Sequence, residues 1–193
     1  MRIILASKSP RRIEILHQHG IDAVIMPTDT DEHLPEGIGM TEAVELLARE
    51  KAEACYESIK NDPKWSGYII IGADTIVWKN EIMGKPVDAD DAFRMLDSIR
   101  GTVHYVVTGV ALIDTDTGTC NVLSDITEVH CKNYTDADII DYISRDEPYD
   151  KAGSYAIQGY FGRYIDHISG DYENVVGLPF YRIEPLIQEY IKS

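Results

Sequence analysis

Cysteine is scarce: residues 55, 120 and 131 are the only three in 193, and they lack the close spacing of metal ligands. A sparse, odd count excludes a disulfide-stapled secreted scaffold and predicts buried thiols in a reducing cytoplasm. Long apolar runs are missing as well, so no segment predicts a bilayer-spanning helix. The start Met1-Arg-Ile-Ile-Leu-Ala-Ser7 has neither the apolar stretch nor the small-residue cleavage site of a signal peptide. Together these absences predict a cytoplasmic protein with no membrane partner. Positive charge is short: 18 Lys and Arg face 33 Asp and Glu, for a net charge of −15. So acidic a chain is ill suited to a nucleic-acid polymer, which is held through many cationic phosphate contacts. A small polyphosphate asks less, namely a few converging cations and a metal ion to screen the carboxylates. Each Lys and Arg position is therefore informative. Repeats, low-complexity tracts and linkers are also missing. With 44% hydrophobic residues, this leaves one α/β domain over residues 1–193, with room for a cleft between lobes.

What is present centres on Tyr68–Val77, Tyr-Ile-Ile-Ile-Gly-Ala-Asp-Thr-Ile-Val. A β-branched apolar run of this length predicts a strand buried on both faces, near the middle of a sheet. Gly72, Ala73, Asp74 and Thr75 interrupt it. Small residues beside a carboxylate let a ligand approach the backbone with an acid at the strand's end, although a turn capped by Asp74 has the same local pattern.

Upstream, Arg2–Ala6 predicts a first strand running into Ser7-Lys-Ser-Pro-Arg-Arg12. Ser9 suits the N-cap and Pro10 the first helical position, so a strand–loop–helix unit is expected. Cations are disfavoured in a helix's first turn, so Arg11 and Arg12 make sense there if an anion binds the free amides. Asp22–Met26 predicts a strand, and Pro27–Gly39 a solvated acidic loop containing Asp29, Asp31, Glu32 and Glu36. A helix capped by Thr41 should run to about Ile59 with Val44, Leu47, Ala48 and Cys55 on its apolar stripe. Lys51 falls on that same stripe, either snorkelling across it or reaching into a cleft.

Further on, Trp78–Ile82 predicts a hairpin turn, Met83-Gly-Lys-Pro86 a constrained lysine, and Asp88 the cap of a helix ending at Gly101. Val103–Ile113 and Cys120–Cys131 read as strands. Thr135 and Asp138 form a capping box ahead of Ile139, Ile140 and Ile143. Asp150–Gly159 is too punctuated for regular structure, Arg163–Ile168 predicts a strand, and Ser169–Tyr172 a turn. Glu173–Pro179 leads into a C-terminal amphipathic helix that Pro185 kinks or opens.

Four stretches in this order resemble the Maf family of nucleoside triphosphate pyrophosphatases. They are Leu5-Ala-Ser-Lys-Ser-Pro-Arg-Arg12, Gly72-Ala-Asp-Thr-Ile-Val77, Gly84-Lys-Pro86, and Asp150–Gly159 with Gly170–Pro179. Ala-Ile-Gln-Gly159 and Asn-Val-Val-Gly-Leu-Pro179 resemble the branch acting on dTTP and UTP rather than the one acting on 7-methyl-GTP. The resemblance implies an elongated, two-lobed Maf/ITPase-like α/β fold around a mixed sheet with a central cleft. It implies hydrolysis of a triphosphate to monophosphate and pyrophosphate with Mg²⁺ or Mn²⁺. Asp74 then matches the proton acceptor, and Arg11, Thr75 and Gln158 match positions tied to substrate choice. Ser7, Ser9, Arg12, Lys51 and Lys85 fall on the phosphate side, with Glu32 and Asp74 toward the metal. Tyr160-Phe-Gly-Arg163 is bulkier than the family pattern, and Asp31 stands where a glutamate is usual. A non-catalytic nucleotide-binding regulator of cell division could use the same pocket, and a pyrophosphatase for damaged purine nucleotides shares the architecture. Gln158 argues against the purine reading. A homodimer is compatible with the sequence.

Overall fold

The computed structural model describes residues 2–31 and 33–192. Among these the chain order is β1 (Ile3–Leu5), α1 (Pro10–Gln18), β2 (Val24–Ile25), α2 (Met40–Ile59), β3 (Ile69–Trp78), β4 (Ile82–Met83), α3 (Ala89–Ile99), β5 (Val103–Asp114), β6 (Cys120–Cys131), α4 (Asp136–Ile143), β7 (Ile165–Ser169), α5 (Tyr172–Val176) and α6 (Phe180–Lys192), with short 3₁₀ turns between some of them. The strands form one sheet in the order β2-β1-β3-β5-β6-β7, with β4 beside β3. β1 runs parallel to β2 and β3, whereas β3–β4 and β6–β7 are antiparallel. The expected mixed α/β architecture is present, with the Tyr68–Val77 run as an interior strand.

The chain gathers into two compact units. One comprises the described residues up to Asp74, Thr108–Asp125 and the residues from Gly177 onward; the other comprises Thr75–Val107 and Ile126–Val176. In the first, β1, α1 and β2 make a β-α-β crossover, the connection that two parallel neighbouring strands require. Its core joins Ile4, Ile70, Ala111 and Ile113 of the strands to Ala48, Ala52 and Cys55 of α2. The helix lies directly on the strands. A Cβ on Gly72 would come within 2.4 Å of Ala48 O and 2.7 Å of Ala52 N, and one on Gly109 within 2.3 Å of Val44 O. Glycine on the sheet and alanine on the helix are what allow this approach.

In the second unit, α3 and α4 cover a core rich in aromatic rings, with Tyr134, Tyr142, Tyr155 and Phe161 buried among Leu96, Ile99 and Val129. Asp88 caps α3 through the Asp91 amide at 2.8 Å, and Thr135 with Asp138 forms the capping box of α4.

Several local expectations are corrected. β3 does not stop at Asp74 but continues to Trp78, with Asp74 and Thr75 half-buried inside the strand. α2 begins at Met40 with Gly39 as N-cap, because Glu42 reaches back to the Gly39 amide at 3.2 Å and leaves Thr41 no capping work. Ile140 is 58% exposed while Tyr142, passed over in the sequence, is fully buried. Residues Tyr172–Val176 are helical, and Pro185 lies inside α6.

Candidate active site

β1 and β3 are parallel neighbours, with Leu5 opposite Ile71. The chain beyond Leu5 and the chain beyond Ile71 therefore run on in the same direction past this register, β3 itself continuing through Asp74 to Trp78. Ladder bonding continues one residue beyond β1: the Ala6 amide donates to Ile71 O at 2.8 Å, and the Met26 amide to Leu5 O at 3.0 Å. The chain then leaves the sheet at Ser7.

Ser7 organises the loop that follows. Its Oγ accepts from the Ser9 amide at 3.2 Å and from Arg12 Nη1 at 3.1 Å. Arg12 Nε donates to Gly177 O at 2.8 Å, and the arginine is only 9% exposed. A guanidinium so placed braces the loop against the turn preceding α6. Ser9 occupies the N-cap of α1 and Pro10 its first position, yet the Ser9 side chain makes no capping bond. Arg11 is half-buried at the second helical position.

Across the β1–β3 pair stands the decisive contact. Lys51 Nζ lies 2.6 Å from Asp74 Oδ1, and the two side chains are only 13% and 14% exposed. The contact accords with the close seat of α2: Ala48 and Ala52 straddle Gly72, and Lys51, one residue before Ala52, reaches Asp74, two residues further along β3. The Lys51 ammonium does not run out to open solvent but turns to Asp74. Thr28 Oγ1 donates to Lys51 O at 3.2 Å and ties the acidic loop to α2. The Lys8–Asp29 pair at 3.5 Å is 74% and 97% exposed and contributes little.

Thus Ser7, Ser9 and Arg12 are joined by hydrogen bonds, and Lys51 is joined to Asp74, all within the first unit. Thr75, Lys85 and Gln158 belong to the second, with Thr75 half-buried in β3 and Lys85 and Gln158 exposed. Glu32 lies outside the described residues. Among the described residues no three His, Cys, Asp or Glu side chains form a metal cluster.

Maf-like protein is the family description that matches this chain, over residues 2–190. The chain belongs to the Maf family. It is similar to proteins named dTTP/UTP pyrophosphatase from Caldicellulosiruptor bescii, at 42% identity over 97% of this chain and 94% of that one, and from Acetivibrio thermocellus, at 43% over 98% and 96%. A protein of the same name from Chromobacterium violaceum is 42% identical over 98% of this chain and 94% of its own. Among solved structures, the Ham1 protein of Staphylococcus aureus aligns over 100% of this chain and 98% of that one, with 12% identity and a TM-score of 0.48.

Two features of this Maf chain escape a reading of the sequence. The carbonyl of Gly177, which receives Arg12, is a backbone group 165 residues distant and leaves no side-chain signal. Glu147, in the unremarkable stretch Arg145-Asp-Glu-Pro148, accepts from the Tyr160 amide at 3.1 Å and from the Tyr142 hydroxyl at 3.0 Å. It thereby touches the segment that carries Gln158.

Proposed function

We propose that this chain, acting as one catalytic domain over residues 1–193, hydrolyses dTTP and UTP between the α- and β-phosphates to give the nucleoside monophosphate and pyrophosphate. The observation that carries the reading is the shielded Lys51–Asp74 pair, its aspartate three residues past the Leu5–Ile71 end of the parallel β1–β3 register. The name shared by relatives at about 42% identity over nearly the full chain supports the same activity and substrates.

In this mechanism water attacks the α-phosphorus, its oxygen bonding to phosphorus as the α–β bridging bond breaks. The electron pair leaves on pyrophosphate. Lys51 holds Asp74 through Oδ1 at 2.6 Å, and Asp74 accepts the water's proton as general base. The ammonium also places positive charge beside the developing anion. Ser7, Ser9, Arg11 and the first amides of α1 receive phosphate oxygens at the helix start. Arg12, held by Gly177 O and Ser7 Oγ, braces the loop that presents these groups. On the family resemblance alone, Lys85 is assigned to the phosphates, and Thr75 and Gln158 to substrate choice. A Mg²⁺ or Mn²⁺ ion held by Asp74 and Glu32 would supply further neutralisation of the phosphate charge. Such an ion asks of a protein one or two carboxylates and takes its other oxygens from substrate and water, a requirement that Asp74 and Glu32 meet by their chemistry.

Turnover of UTP by purified protein in ¹⁸O-water tests the proposal. Equal release of UMP and pyrophosphate is expected, with the label in UMP. Label in pyrophosphate would place attack on the β-phosphorus, and no turnover of UTP or dTTP would overturn the assignment.

A further inference from the structure

Glu147 spans the base of the segment that carries Gln158. Its Oε1 accepts from the hydroxyl of Tyr142, fully buried in α4, at 3.0 Å, and its Oε2 accepts from the Tyr160 amide at 3.1 Å. The intervening Gly159 has φ −92° and ψ −162°, a conformation open to any residue. What demands glycine there is space, since a Cβ would stand 1.9 Å from Glu147 Oε1. The carboxylate and the missing side chain form one fitted contact.

The same segment is closed by Gly159 N–H donating to Ala156 O at 3.1 Å and Gly162 N–H donating to Gly159 O at 3.1 Å. The guanidinium carbons of Arg145 and Arg163 lie 3.6 and 3.7 Å from the Tyr160 ring centre. Two such groups fit only on opposite faces of the ring, so Tyr160 is an anchor with no face left for stacking on a base. Gln158 itself is exposed and is not held by packing.

We propose that Glu147 is a positioning residue for nucleotide selection, holding the backbone at Gly159 and Tyr160 so that Gln158 extends toward the base from one fixed point. This rests on the reading of Gln158 as the base-contacting side chain. Uracil and thymine offer an acceptor at O4 and a donor at N3, whereas cytosine offers the reverse. An amide can turn to suit either pair, so discrimination depends on the distance and angle at which it meets the base, and these follow from where its backbone is held.

The test is kcat/KM for UTP and CTP in wild type and in the Glu147→Ala, Glu147→Gln, Gln158→Ala and doubly substituted Glu147→Ala/Gln158→Ala proteins. Glu147→Ala is expected to lower the UTP:CTP ratio about tenfold, the worth of one mispaired polar group. Glu147→Gln, which can still accept from Tyr160 N–H and donate to the Tyr142 oxygen, should retain most of the ratio. The double variant should match Gln158→Ala, because a residue acting through Gln158 has nothing left to position. Gly159→Ala displaces the carboxylate from the other side and should lower the ratio too, which keeps the test open if Glu147→Ala does not fold. An unchanged ratio in Glu147→Ala or Gly159→Ala, with a shifted one in Gln158→Ala, overturns the role of Glu147 and leaves the base-reading role of Gln158 standing. An unchanged ratio in Gln158→Ala overturns both.

Discussion

Lys51 reaches Asp74 at 2.6 Å with only 13% and 14% of the two side chains exposed, so helix α2 and strand β3 meet through a shielded charge pair. If Asp74 is the base, Asp74→Asn keeps its shape but removes the proton acceptor. Turnover of UTP should then fall by about two to four orders of magnitude. KM should change little. Pyrophosphate release against substrate concentration measures both, and near-wild-type turnover would make Asp74 structural.

The pair should also be visible in stability. Lys51→Met strands the Asp74 carboxylate, at a cost of about 3 kcal/mol, the low end for breaking a buried pair. Combining Lys51→Met with Asp74→Asn removes both charges, so the double variant should be more stable than the sum of the single losses predicts. Urea titrations of the four proteins close the cycle. Strict additivity would mean that the contact contributes nothing.

The sequence carries much of this in a legible form, for identifiable reasons. The β3 run, the α3 cap at Asp88 and the Thr135–Asp138 capping box rest on local chemistry, and each appears in the structure. Lys51 on an apolar stripe was visible as an anomaly, but its partner was not, because Asp74 lies 23 residues on and the contact depends on how α2 seats. Arg12 shows the opposite limit. Beside Arg11 it reads as a second phosphate cation, yet its distant Gly177 partner lies beyond any local pattern. Thr41 failed as a cap because Glu42 and Gly39 satisfied the helix end first.

Gly72 is the point on which that seat depends. A Cβ there meets Ala48 O at 2.4 Å and Ala52 N at 2.7 Å, both backbone atoms that cannot rotate away. Gly72→Ala should therefore cost on the order of 1–3 kcal/mol or more as an overpacked core position. It should also depress turnover by moving Lys51 relative to Asp74. Gly84→Ala is the control, since a Cβ there has nothing within 4 Å. Comparable stability losses in the two variants would refute the argument.

Arg11 and Arg12, adjacent in sequence, should respond differently to alanine. Arg12→Ala takes its donor from the Gly177 carbonyl, at about 1–3 kcal/mol for a stranded polar group, and leaves Ser7 Oγ with the Ser9 amide alone. The ligand-free protein should melt lower. Arg11 is half-buried in the first turn of α1, where a cation is unfavourable without an anion. Arg11→Ala should leave ligand-free melting equal or slightly higher and shrink the rise produced by added nucleotide. Thermal melts with and without UTP separate the two. A large ligand-free loss in Arg11→Ala would mark it as a structural cation.

His104 supplies a prediction about acid. It is fully buried on β5, with Nε2 at 2.6 Å from the Tyr155 hydroxyl and Nδ1 at 3.9 Å from Cys131 Sγ. Burial, followed by the nearby Lys79 and His130, pushes its pKa down to about 3. In the unfolded chain the same imidazole titrates near its ordinary value of 6.5. Above that value neither state holds the proton, and the histidine adds no pH dependence. Between about 6.5 and 3 the unfolded chain binds a proton that the native chain refuses, so stability must fall as pH falls. One such proton contributes a slope of about 1.4 kcal/mol per pH unit. Other groups titrate over the same range, so the informative quantity is the difference between wild type and His104→Gln, which cannot take up the proton. Urea midpoints from pH 7 to pH 4 should decline more steeply in wild type, the gap opening below 6.5. Parallel curves would mean that His104 becomes protonated in the folded protein.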